Sequence, residues 1–190
     1  MFRRILNALV WSLTCLALSY LNGALAQAPV VQNTYADEDR DWGVAAMNRL
    51  RQEPYHAPTP TQIPGAAVVR TLELRSMLNG STPPIIIDVL SGEDHLTLAG
   101  AVWLAGAGRG ESFIDRLQSE LTPLLAKLTD GDKSRGMVFF CASAECWLSY
   151  NTALRAVAAG YTKVYWYRGG IEAWVEAGLP TAKTIAARNP

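Results

Sequence analysis

Cys141 and Cys146 lie five positions apart in the run Val138-Phe139-Phe140-Cys141-Ala142-Ser143-Ala144-Glu145-Cys146-Trp147. A thiolate is both a nucleophile and a soft ligand, so two thiols at this spacing offer several kinds of chemistry. Cys141 can take up sulfur as a persulfide that Cys146 resolves as a disulfide. The two can cycle as a dithiol/disulfide couple with an outside partner. They can also stand as a permanent disulfide that pins a loop, provided their Cα atoms come within about 7 Å. Metal binding is the weakest alternative, because two cysteines alone make a poor zinc site and the only histidines, His56 and His95, are remote in sequence. No metal and no resident cofactor are expected.

The residues around the pair say what must position it. Met137 to Phe140 is apolar, β-branched and aromatic, and it follows the polar turn Asp130 to Gly136, a loop feeding a buried strand. After Trp147, apolar residues recur at helical spacing (Leu148, Ala153, Leu154, Val157, Ala158) until Gly160, a helix stop. Cys141 therefore ends a strand, and the loop after it opens onto a helix start. At that edge of an α/β sheet ligands bind, and free N–H groups stabilise a thiolate or an anion. Ala142, Ser143, Ala144, Glu145 and Trp147 are the candidate loop contacts. For Trp147 a core anchor is the favoured reading over a shield for the thiols. Asp88 ends another strand on the same edge, where it either orients the loop or caps the turn that follows it. Arg109 and Arg168 are candidate anion contacts, with a solvated surface position as the default. His95 is a general base only if the fold brings it to Cys141; exposure is its default.

The rest of the chain bounds the setting. Arg3 and Arg4, the apolar stretch Ile5 to Leu21 and Ala24-Leu25-Ala26 have the organisation of a secretory signal over residues 1–26, which predicts export to the periplasm. An uncleaved N-terminal anchor is the alternative. Cys15 would leave with the signal. The 164 residues that remain suit one domain, with fifteen basic against seventeen acidic side chains. No basic patch points to nucleic acid, and no later segment is apolar enough to span a membrane.

Residues 27–65, rich in proline and acidic side chains with a helical patch near Trp42 to Leu50, read as an extension laid over the domain surface. A domain over 66–182 and a tail over 183–190 follow. Strands are expected at 67–69, 85–90, 100–104, 137–140 and 163–167, and helices at 72–78, 112–128, from Trp147 to Gly160, and 171–177. Pro123 would kink or divide the second helix. Gly106-Ala107-Gly108-Arg109-Gly110 lacks the Lys-Ser/Thr pair of a phosphate loop and reads as a flexible connection. Strands alternate with helices, which predicts an α/β fold with a central parallel sheet flanked by helices.

Over residues 66 to 180 the sequence resembles a rhodanese-like domain. The resemblance is carried by Ile85-Ile86-Ile87-Asp88-Val89, by Leu98-Ala99-Gly100-Ala101, by the cysteine at a strand end, and by Tyr165 to Leu179 with Gly169-Gly170 and Trp174. It implies a loop of backbone N–H groups cradling a persulfide or oxyanion on Cys141. Leu90, Thr97 and Cys146 stand where such domains usually carry Arg, His and Arg, and Glu145 puts a negative charge in a cradle meant for an anion. Thiosulfate:cyanide sulfurtransfer is therefore not expected. Cys146-Trp147, Ser149-Tyr150-Asn151 and Val164-Tyr165-Trp166-Tyr167, with the signal, are similar to the exported rhodanese-like proteins named for a CXXCW motif and associated with catabolism dependent on pyrroloquinoline quinone (PQQ). Ser143 holds the place of that motif's first cysteine. This resemblance implies a periplasmic PQQ-dependent dehydrogenase or c-type cytochrome as partner. Two readings stay open: thiol redox or sulfur-transfer chemistry at Cys141/Cys146 accessory to PQQ-dependent alcohol catabolism, or a non-catalytic binding module that docks such a partner with the cysteines as a structural disulfide.

Overall fold

A computed structural model describes residues 34–184. The signal segment with Cys15 and the last six residues lie outside the described residues. The chain runs β1 (Ala67–Val69), α1 (Thr71–Leu78), β2 (Ile85–Asp88), β3 (Leu96–Leu98), β4 (Val102–Trp103), α2 (Arg116–Leu128), β5 (Met137–Phe140), α3 (Trp147–Ala158), β6 (Val164–Tyr167), α4 (Gly170–Glu176) and β7 (Thr181–Lys183).

Five strands form one sheet in the order β1-β6-β5-β2-β4, every pair parallel, and helices cover both faces as the alternating pattern predicts. β5 lies in the middle and is buried throughout, which is why its sequence is apolar without alternation. Its side chains nevertheless alternate in destination. Met137 and Phe139 join Ile87, Trp166, Leu121 and Trp147 in one core cluster, while Val138 and Phe140 join Val69, Leu74, Tyr167 and Trp174 in the other.

Local chemistry sets the element ends. The Asp115 carboxylate accepts the Gln118 amide at 2.8 Å and also takes the amides of Glu111 and Ser112, so α2 starts at Arg116 rather than at Ser112. Pro123 neither divides nor ends α2. β2 stops at Asp88 because Asp88 Oδ1 accepts the Leu90 amide at 2.8 Å, the turn-capping alternative for this residue. α3 closes into Gly160, whose φ of 88° requires glycine.

One pairing was not foreseen, and two expectations need correction. β3 and β7 pair antiparallel, from Leu96 opposite Lys183 to Leu98 opposite Thr181. Two three-residue segments far apart in sequence carry no periodicity that would announce this pairing. The glycine-rich segment is not a flexible connection. Gly106 and Gly108 are buried, a Cβ on Gly108 would collide with the Leu148 carbonyl, and the Gly108 carbonyl accepts from Asn151 Nδ2 at 2.8 Å. Finally, Trp42 to Leu50 forms no helix. Its backbone bonds to α3 instead. The Met47 N–H donates to Tyr150 Oη at 2.8 Å and the Met47 carbonyl accepts from it at 2.7 Å, while Arg51 N–H and carbonyl engage the Asn151 amide at 2.9 and 2.7 Å. Leu50 and Ile63 are buried in the core, so the extension is part of the packed domain.

Candidate functional site

β5 delivers Cys141 to the C-terminal edge of the sheet. Residues 141–146 then turn back so that Cys146 becomes the N-cap of α3. The turn is closed by the Cys146 N–H donating to the Ser143 carbonyl at 3.1 Å, and Ser143 Oγ accepts the Glu145 N–H at 3.3 Å. Cys141 and Cys146 are joined by a disulfide, with Cα atoms 6.1 Å apart. Cys141 is fully buried and Cys146 is 7% exposed. The helix start therefore lies at Cys146, the position at which a thiolate formed on reduction is favoured by the helix dipole.

From one side the loop is held by α4. The Ile171 N–H donates to the Cys141 carbonyl at 3.0 Å and the Glu172 N–H to the Ala142 carbonyl at 2.9 Å. That approach is only open to glycine at 170: φ is 63°, and a Cβ there would overlap the Cys141 and Ala142 carbonyl groups. Among the described residues, the N–H groups of Ala142, Ser143 and Ala144 donate to no acceptor. They are the amides available to a bound persulfide or anion.

From the other side the loop is strapped by the extension. Tyr55 to Ala57 runs antiparallel to Glu145 to Trp147, with Ala57 N–H donating to the Glu145 carbonyl at 2.8 Å and Trp147 N–H to the Tyr55 carbonyl at 2.9 Å. Thr59 Oγ1 donates to the Ala144 carbonyl at 2.5 Å, and Trp147 Nε1 to the Pro58 carbonyl at 3.1 Å. Trp147 is a core anchor: it is fully buried, packs edge-on against Tyr150 at 5.0 Å, and carries the Arg51 guanidinium over its ring at 5.1 Å.

Arg168 is not a solvated surface arginine, and its donors are taken by acceptors of the chain itself. Only 1% exposed, it spends all five N–H groups on the extension: Nε on Thr59 Oγ1 at 3.0 Å, Nη1 on the carbonyls of Asp37 and Glu38, and Nη2 on those of Arg40 and Thr59. Its planar guanidinium also stacks under Trp42 at 4.8 Å. Burial pushes the group below its ordinary pKa, opposed by the carboxylates of Asp39, Asp41 and Asp37. Arg155, on α3, anchors the glycine-rich segment through its two terminal nitrogens. It bonds the carbonyls of Arg109 and Ser112 and both oxygens of Asp115. Burial alone would raise the Asp115 carboxyl, but the Arg155 guanidinium and the amides of Gln118, Ser112 and Glu111 hold it well below the usual carboxylate range.

The predicted residues from 141 to 147 thus share one loop, whereas Asp88 turns elsewhere. Its second oxygen accepts from Thr97 Oγ1 at 2.6 Å and lies 2.8 Å from His95 Nε2, so it fastens the β3 lobe and makes no hydrogen bond to the loop. His95 Nδ1 faces the Glu93 carbonyl at 3.0 Å, so both ring nitrogens are engaged away from Cys141. Arg109 is exposed, and it contributes its carbonyl, not its side chain, to the Arg155 network. Over the loop's outer face lies a cleft of about 300 Å³ lined by Ala36, Asp37, Ser143, Ala144, Glu145 and Glu172. Three carboxylates and no cation line it, which opposes entry of a small anion. Among the described residues no group of three His, Cys, Asp or Glu side chains could hold a metal, and no helix is long and apolar enough to cross a membrane.

Residues 71–177, which include this cysteine loop, match the family model of the rhodanese-like domain. The chain belongs to the rhodanese-like domain family. A search of curated proteins found no match. Solved structures similar to this rhodanese-like chain include a thiosulfate sulfurtransferase from Pseudomonas aeruginosa, 18% identical, with a TM-score of 0.49 over 64% of this chain. The chain spans 21% of that enzyme's length. The rhodanese-like domain of an Anabaena protein is 22% identical, with a TM-score of 0.46 over 66% of this chain and 84% of its own. The polysulfide-sulfur transferase homodimer of Wolinella succinogenes is 17% identical, with a TM-score of 0.44 over 62% of this chain and 79% of its own.

Thr59 and Tyr55 are the residues of this site that sequence reasoning missed, and Arg168 was singled out for an anion contact or a solvated position rather than for its bonds to the extension. Arg168 carried a weak signal, since it sits between Tyr165-Trp166-Tyr167 and Gly169-Gly170, where a long cation has little free surface. Thr59, between two prolines, carried none.

Proposed function

We propose that this protein is an exported rhodanese-like thiol–disulfide module in which Cys141 and Cys146 cycle between disulfide and dithiol. The observation that carries the reading is the placement of both cysteines in the six-residue loop at the end of β5, within disulfide reach and beside three unclaimed amides. In the redox direction, a thiolate of an outside dithiol attacks one sulfur, forming a mixed disulfide as the Cys141–Cys146 bond breaks. Its second thiol then displaces the partner, which leaves as a disulfide, and both cysteines are thiols. In the sulfur-transfer direction, the Cys141 thiolate attacks the outer sulfur of an organic persulfide, whose S–S bond breaks and which leaves as a thiolate. The sulfur now on Cys141 is held by the amides of Ala142 to Ala144. The Cys146 thiolate attacks Cys141 Sγ, expels hydrosulfide and restores the disulfide. Glu145, with Asp37 and Glu172 in the same cleft, supports a donor other than thiosulfate.

The sequence resemblance around Cys146-Trp147 supports a setting in the periplasm beside a PQQ-dependent alcohol dehydrogenase or its c-type cytochrome. Deleting the protein should then impair growth on alcohols that need such a dehydrogenase. Wild type should restore growth, and Cys141→Ser should not.

The burial of both cysteines beneath the extension favours a second reading, a docking module with a permanent disulfide. Trapping free thiols and titrating the mature protein against a defined dithiol buffer decides between them. A midpoint near −200 mV supports the cycling pair, and one below about −300 mV marks a structural disulfide and sinks it.

A further inference from the structure

We propose that the extension is a redox-linked clamp on the cysteine loop, and that Thr59 is the positioning residue through which Arg168 keeps the loop in its disulfide-forming shape. The proposal deepens the cycling-pair reading and rests on it.

Two hydrogen bonds from the extension flank Cys146: Ala57 N–H to the Glu145 carbonyl on one side and Trp147 N–H to the Tyr55 carbonyl on the other. A third reaches Ala144, two residues before Cys146, from Thr59 Oγ1 to the Ala144 carbonyl. Together they fix the backbone that carries Cys146, while β5 and the amides of α4 fix Cys141. The 6.1 Å between the two Cα atoms is therefore set by the extension as much as by the loop itself. Thr59 is the pivot of this arrangement. Its hydroxyl accepts from Arg168 Nε at 3.0 Å and donates to the loop, so Arg168, locked on four carbonyls of the extension, acts on Ala144 only through Thr59.

Reduction places the clamp under stress for a simple reason. Two bonded sulfurs lie about 2 Å apart. Two thiol sulfurs repel inside roughly 3.5 Å, the distance of ordinary van der Waals contact. Cys141 is fully buried at the end of the central strand, so the displacement falls on the Cys146 side, against the bonds to Tyr55, Ala57 and Thr59. Whatever the clamp contributes to the disulfide over the dithiol, the disulfide contributes equally to closure of the clamp. The electrons and protons are those of ordinary exchange: the outside dithiol gives up two of each, and the two cysteines take them up.

The test is the midpoint potential of the full mature protein with Thr59, Thr59→Val and Thr59→Ser, titrated in a dithiol buffer. Thr59→Val keeps the shape but removes both hydroxyl bonds. It should favour reduction about tenfold, an upward shift of about 30 mV for a two-electron couple. Thr59→Ser should titrate with the wild type. Amide exchange supplies the second readout. Adding the reductant should speed exchange at the Ala57 amide, and a Cys141→Ser, Cys146→Ser double variant should show the same fast exchange without reductant. Coincident potentials for Thr59 and Thr59→Val, or an Ala57 amide indifferent to reduction, overturn the clamp. The absolute potential answers the other question. A wild-type midpoint below about −300 mV that still rises in Thr59→Val supports the clamp while removing the cycling pair.

Discussion

Replacing Arg168 with alanine removes one of the ties between the extension and the rest of the domain, and its cost can be worked out from its partners. Five hydrogen bonds are lost, to Thr59 Oγ1 and to the carbonyls of Asp37, Glu38, Arg40 and Thr59, along with the stack under Trp42. A net hydrogen bond contributes about 1 kcal/mol, and a charged donor contributes more. Some of the freed carbonyls lie near the surface and regain water, which lowers the sum. A loss of about 3–5 kcal/mol is expected, a large part of the 5–15 kcal/mol typical of a domain. At roughly 2–4 °C per kcal/mol for a chain of this length, the melting temperature should fall by on the order of 10 °C. Arg168→Lys keeps the charge but has three donors and no planar face, so it should lose about 2 kcal/mol. Thermal and urea unfolding measure both variants, and trypsin cleavage at Arg49 and Arg51 reports whether the extension has come away. If Arg168→Ala melts within about 2 °C of wild type and resists trypsin equally, the five bonds do not hold the extension.

Asp115 predicts a pH dependence. Its pKa in the fold lies well below the ordinary 3.8, so its contribution is present above 3.8 and is lost as pH falls below that value toward the folded pKa. Melting temperatures between about pH 5 and pH 2.5 should therefore fall more steeply for wild type than for Asp115→Asn, and parallel curves would refute this. Gly170→Ala should destabilise by roughly 2 kcal/mol or more, since it combines a positive φ with a clash against the Cys141 carbonyl; a neutral substitution by urea unfolding would contradict the geometry. Glu145→Arg should speed reaction of the reduced protein with thiosulfate, measured as persulfide on Cys141 by mass spectrometry. The gain should shrink in high salt, and an unchanged rate would show that the acidic cleft is not what bars the anion.

Most of the sheet was legible because burial writes itself into periodicity and composition. Ile85 to Ile87 and Met137 to Phe140 are unbroken apolar runs since both faces of a central parallel strand are covered. The loop from Cys141 to Trp147 was legible because a strand end, a helix start and two thiols fall in ten consecutive residues. What could not be read were interactions between segments distant in sequence. Trp42 to Leu50 has a helical look, yet Tyr150 and Asn151, a hundred positions away, satisfy its backbone instead. Arg168 looked like a surface cation because four of its five acceptors are main-chain carbonyls, which are the same whatever the sequence. Asp88 ended the expected strand, but only the fold could show that its hydrogen bonds go to Thr97 and Leu90 rather than to the loop.

The sequence by itself determined which chemistry is available, two thiols at a strand end followed by a helix, and the class of sheet that carries them. Local spacing and burial decide those features, and both are recorded residue by residue. Only the tertiary structure decided that the pair is covered, that the extension grips the loop on either side of Cys146, and that Thr59 links Arg168 to Ala144. Those outcomes depend on backbone groups meeting across large sequence separations, and every residue carries the same backbone groups.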